Sequence, residues 1–139
     1  MRSVRRLLVV AATVVALTIL VPSASAASPK AFHLEKTCVS HVLCTVQVSD
    51  FKAIPQGTDI SYAPGPASGL VYATIVVKNG STTGVCDWNQ PTGQPILAIC
   101  TFGTGTGRLT QFHLVVNVTT NPTTGVWYWD GTYWFGGGN

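Results

Sequence analysis

From Ala27 onward no stretch of this chain repeats its apolar residues at helical spacing. What repeats instead is two-residue alternation in short runs of valine, threonine, isoleucine and aromatics. Those runs are punctuated by all 14 glycines and by seven of the eight prolines. That pattern predicts about eight or nine strands in series, each beside its sequence neighbour. Such an up-and-down antiparallel meander closes naturally into an all-β barrel, with a two-sheet sandwich as the alternative. Closure also removes sticky strand edges, which a chain only 9% charged has few lysines to protect. Residues 27–139 are enough for one domain and too few for two cores.

Turn chemistry divides the strands. Lys78-Asn79-Gly80-Ser81 suits a type I′ hairpin centred on Asn79-Gly80. It puts Val71, Ala73, Ile75 and Val77 on one face with Cys86 and Trp88, and Tyr72, Thr74, Ser81, Thr83 and Asp87 on the other. Trp129-Asp130-Gly131-Thr132 reads as a second tight turn, pairing Val126–Trp129 with Thr132–Phe135. Between them the longest strand is expected over Arg108–Thr119, with Phe112, Leu114, Val116 and Val118 facing the core. The glycine-rich run Gly103–Gly107 reads as a tight turn; a phosphate loop would need a following helix.

Four cysteines, Cys38, Cys44, Cys86 and Cys100, read as two disulfides, because their spacing lacks the paired knuckles of a zinc site. Folding the first strand onto the second about Val39–Leu43 sets Cys38 opposite Cys44 and Leu34 opposite Val48. The strands flanking Pro91–Pro95 set Cys86 opposite Cys100 in the same way. Directly opposed residues lie within disulfide reach, so each bridge should staple one hairpin.

The compartment agrees with the cysteines. Three arginines within Met1–Arg6, an uncharged apolar run from Leu7 to Val21, and Ala24-Ser25-Ala26 make the layout of a cleaved signal peptide over 1–26. A run of fifteen residues is too short to span a bilayer as a helix. The expected location is therefore secreted or periplasmic, off the membrane once the signal is cut. Beyond residue 26, Lys30, Lys36, Lys52, Lys78 and Arg108 are balanced by Glu35, Asp50, Asp59, Asp87 and Asp130. Zero net charge leaves no footprint for nucleic acid or an anionic surface.

Groups that carry chemistry are sparse. His33, His41 and His113 read as exposed or edge histidines, no serine sits in a nucleophile elbow, and no metal or cofactor set is visible. Asp50, Asp59, Asp87, Arg108 and His113 are the polar residues available to a reaction, and none has an assignable role. Asp130 is accounted for by its turn. The denser signal is aromatic: Trp127, Tyr128, Trp129, Tyr133 and Trp134 crowd the last strands. On a hairpin, Trp127, Trp129 and Trp134 share one face and Tyr128 and Tyr133 the other. One face plugs the barrel, and the other could form a strip for sugars or flat ligands.

Cys100–Phe112, with Gly103-Thr104-Gly105-Thr106-Gly107 at its centre, resembles the Gly-Thr-Gly turn and following strand of allene-oxide-cyclase-like and dirigent-like barrels. The later glycine of that signature is replaced here by Thr110 or Gln111. The resemblance implies a barrel with a ligand cavity and, in the family, cyclases and stereochemistry-directing proteins. Asp50–Pro55 and Trp129–Tyr133 also resemble segments of small exported bacterial proteins. Together these readings point to a secreted barrel that binds a small apolar or carbohydrate-like ligand without catalysis. The alternatives are a cyclase- or dirigent-like enzyme and a surface interaction module. A closed cavity of ~300 Å³ or more with a buried charged group would favour the enzyme.

Overall fold

A chain whose strands alternate apolar and polar side chains can hide one face of a single sheet by curling it shut. The computed structural model, which describes residues 27–89 and 95–137, shows that solution. The expected signal segment lies outside the described residues. Eight strands follow in order: β1 Lys30–Ser40, β2 Leu43–Ser49, β3 Asp59–Pro64, β4 Leu70–Val77, β5 Gly80–Asp87, β6 Ala98–Phe102, β7 Phe112–Asn121 and β8 Val126–Phe135. All neighbours are antiparallel, and β8 pairs back onto β1 from Lys30↔Tyr133 to Thr37↔Val126, closing the barrel.

Both disulfides form as the opposed registers require, Cys38–Cys44 between β1 and β2 and Cys86–Cys100 between β5 and β6. Two details of the first hairpin differ. Its turn is only His41-Val42, because Ser40 already pairs with Leu43. Leu34 faces Ser49 rather than Val48, because a bulge between Glu35 and Lys36 shifts the register.

The inward phase of the strands builds the core: Phe32 and Leu34 from β1, Val46 from β2, Ile60 from β3, Ala73 and Ile75 from β4. Phe112, Leu114, Val116 and Val118 of β7 point inward as their alternation predicts. Each such side chain, fully buried, contributes roughly 1.5–3 kcal/mol.

The two ends of the barrel are built differently. At one end the β2–β3 connection folds inward, placing Phe51 4.5 Å from the Tyr133 ring and 5.3 Å from that of Phe112. Ile54, Leu109, Phe32 and Phe135 complete this plug. The other end is hollow.

Two turn expectations and one strand boundary are corrected. Asp130-Gly131 is not a turn: β8 runs unbroken from Val126 to Phe135, with Asp130 opposite both His33 and Asn117. A Cβ at Gly131 would come within 1.9 Å of the Val115 carbonyl oxygen, so glycine serves close strand approach there. The β4–β5 turn is Lys78-Asn79, with Gly80 paired to Val77, one residue earlier than expected. It is not type I′, since Gln111 is the one non-glycine residue at positive φ among the described residues. Gly80 is held beside the Thr106 carbonyl, where a Cβ would come within 2.2 Å, and the Arg108 N–H donates to Asn79 O at 2.6 Å. The glycine-rich loop thus docks onto the hairpin tip. It also delays β7: a 3₁₀ turn at Gly107–Leu109 occupies residues expected in the strand, which starts at Phe112.

Candidate functional site

The hollow end encloses a cavity of about 520 Å³, large enough for a small organic ligand. Cys86 and Cys100 form part of its wall and Cys38 and Cys44 another, so the two bridges pin the hairpins on either side of the mouth. Val39 and Trp88 stand at the rim, exposed, with Trp88 edge-on to Trp127 at 6.2 Å.

One charged side chain faces this space. Lys36 continues the inward phase Phe32, Leu34 along β1, and only 3% of its surface is exposed. Its Nζ lies 5.0 Å from the ring centre of Trp129, 5.1 Å from Tyr62 and 5.5 Å from Trp127, a three-sided aromatic cage. Among the described residues its polar contact is Cys44 Sγ at 3.9 Å. Among the described residues no carboxylate pairs with it; both ion pairs found belong to His33. Burial therefore pulls the amine down to about 7 from its usual 10.5.

The register explains the cage. Trp127 on β8 sits directly opposite Lys36. Trp129 follows two residues on in the same phase, and Tyr62 shares the inward phase of β3 with Ile60. The Tyr62 hydroxyl and the Trp129 indole N–H are buried and meet no hydrogen-bond partner among the described residues. Burial pushes the Tyr62 hydroxyl up, so it stays a neutral donor. Apolar walls, a cationic or free amine and two unpartnered donors together suit a flat apolar body carrying an oxygen acceptor.

The five aromatics singled out from sequence separate. Trp127 and Trp129 line the cavity, and Tyr133 belongs to the plug at the opposite end. Tyr128 and Trp134 point outward, Tyr128 over His33 and Trp134 stacked on His113 at 5.2 Å. Since β8 is one strand, the face expected to join Trp134 to Trp127 and Trp129 does not exist.

The polar candidates do not meet either. Asp50, Asp59 and Arg108 are exposed, His113 faces out, and none of these, nor Asp87, lines the cavity. His41 does reach the rim. On the outer wall His33 Nδ1 lies 2.6 Å from Asp130 and Nε2 3.4 Å from Glu35, so Asp130 serves this cluster rather than a turn. Asp130 above all raises the His33 pKa, against some lowering by burial. This cluster ties β1 to β8 on the side away from the cavity.

Lys36 and Tyr62 escaped the sequence reading, although phase could have found Lys36: it stands two residues beyond Leu34 on the apolar face of β1. No protein-family model, curated protein or solved structure matches this chain.

Proposed function

We propose that the protein is a secreted binding barrel that takes one small, largely apolar, flat ligand with an oxygen acceptor into its open end. Lys36, Tyr62 and Trp129 meet the acceptor, and Trp127 and Trp88 cover the flat body. The observation carrying this reading is the caged amine with two unsatisfied donors beside it in a cavity of about 520 Å³. Buried donors without acceptors cost about 1–3 kcal/mol each, and a ligand oxygen relieves that cost. Two disulfides and the lack, among the described residues, of any helix able to cross a membrane accord with an extracellular setting. A buried amine in a cavity also supports the second reading, a cyclase- or dirigent-like protein that steers a reactive intermediate.

Cinnamate tests the binding reading, since it is flat, apolar and ends in a carboxylate. Titration should quench intrinsic tryptophan fluorescence to saturation at one equivalent. Lys36→Met should weaken binding at least tenfold, and Val71→Trp, which fills the cavity, should abolish it. Unsaturable quenching, or equal affinity in all three proteins, would overturn the reading.

A further inference from the structure

We infer that Lys36 is a nucleophile and that the cavity takes aldehydes, which it holds as a reversible imine with the Lys36 amine. The inference rests on the binding reading above and names the chemical class of the acceptor oxygen: a carbonyl.

Several observations converge on the amine. It is the one lysine among the described residues that turns inward, and it projects into the space a ligand would fill. No carboxylate holds it as an ammonium, so losing its proton breaks no ion pair. The lowered pKa supplies free amine near neutrality, as lysines that form Schiff bases require. The other titratable side chains lining the cavity are Tyr62 and His41, neither of them a carboxylate.

The step balances without a redox partner. The Nζ lone pair adds to the carbonyl carbon, and a proton passes from nitrogen to oxygen, giving a carbinolamine. The C–O bond then breaks, oxygen leaves as water with a second proton, and a C=N bond remains. The products are one imine and one water. The Tyr62 hydroxyl, neutral and without a partner, can donate a hydrogen bond to the departing oxygen. When the imine is protonated, its positive charge stays among the rings of Tyr62, Trp127 and Trp129. The open mouth admits water, so the reverse reaction releases the aldehyde.

The probe is cinnamaldehyde, matched in shape to cinnamate. Oxidised full-length mature protein is incubated with it at pH 7.5, and the adduct is trapped by cyanoborohydride and mapped by peptide mass. Trapping is expected at Lys36 at least tenfold faster than at exposed Lys30, Lys52 or Lys78. Before reduction, a new absorption band should appear to the red of the free aldehyde. Lys36→Arg, which cannot form an imine, should lose both signals, while Lys52→Arg on the exposed surface should keep both. If cinnamate binds and competes but Lys36 is trapped no faster than the surface lysines, the imine is overturned and the binding reading stands. If neither cinnamate nor cinnamaldehyde occupies the cavity, both fall.

Discussion

Replacing Lys36 by methionine should make the barrel more stable at pH 6, and the gain should fade as pH rises. In the unfolded chain this amine holds its proton up to about pH 10.5; in the barrel it gives it up near 7. Below pH 7 both states are protonated, so the full desolvation penalty burdens the fold. Between 7 and 10.5 the unfolded chain binds more protons, and wild-type stability climbs with pH. At about 1.4 kcal/mol per pH unit the gap amounts to about 5 kcal/mol. The three aromatic faces return roughly 0.5–1 kcal/mol each, leaving a net penalty of about 3 kcal/mol. Methionine keeps the unbranched stem without the charge. At roughly 4 °C per kcal/mol for a domain of this size, Tm at pH 6 should rise by about 10 °C, and the difference should fall to roughly half by pH 9.5, one unit below the unfolded pKa, where about 1.4 kcal/mol of the penalty is left. Differential scanning fluorimetry of both oxidised proteins from pH 6 to 9.5 measures this. Other titrating groups, His33 included, are common to both and cancel in the difference. A variant less stable than wild type at pH 6, or a Tm gap that does not change with pH, would refute the account.

Removing the Cys86–Cys100 bridge by paired serine substitution should lower stability by about 3 kcal/mol in urea unfolding, and removing Cys38–Cys44, which closes a shorter loop, by about 2 kcal/mol. Gly131→Ala should cost at least ~2–3 kcal/mol or block folding, since its Cβ meets backbone atoms of β7 that cannot rotate away; expression yield and Tm report it. Asp130→Asn should bring the His33 pKa down in an NMR titration, because the carboxylate is the main cause of its rise. That raised pKa makes the His33 contribution to stability complete below about pH 6.5 and lost as pH climbs past the folded value, so the wild-type advantage over Asp130→Asn should shrink above that window.

How much of this was legible in the chain depends on which forces decide each element. Strands and bridges were, because side-chain phase and cysteine opposition are both local consequences of the two-residue repeat. The β8 error shows where that stops. Asp130-Gly131 has strong turn chemistry, yet Trp127, Trp129, Tyr133 and Phe135 keep one phase across it. Pairing on both sides, with β7 and β1, outweighed the local preference. At Asn79-Gly80 the glycine is used for the approach of Thr106, a residue 26 positions later whose docking no local pattern reveals. The cage could not be assembled from sequence, since it joins Lys36 to Tyr62 across β2 and to Trp127 through the β1–β8 pairing, which exists only once the barrel closes. The plug likewise depends on a connecting loop turning Phe51 inward rather than outward.

The asymmetry between the two ends also bears on why Lys36 is there. At the plugged end, the rings of Phe32, Phe51, Phe112, Tyr133 and Phe135 pack against one another, with no charged side chain in the cluster. The same solution was open to the other end: a methionine or leucine at 36 would pack against Trp127 and Trp129 and relieve a penalty of several kcal/mol. Instead this end keeps a lysine with no counter-ion and a hydroxyl and an indole N–H with no acceptor among the described residues, around a cavity whose walls carry two disulfides. Uncompensated polar groups of this kind cluster where a fold trades stability for chemistry. In the binding reading proposed above, the bridges fit that trade: each closes a hairpin that lines the cavity, and together they would brace its walls against the collapse that an unfilled apolar cavity invites.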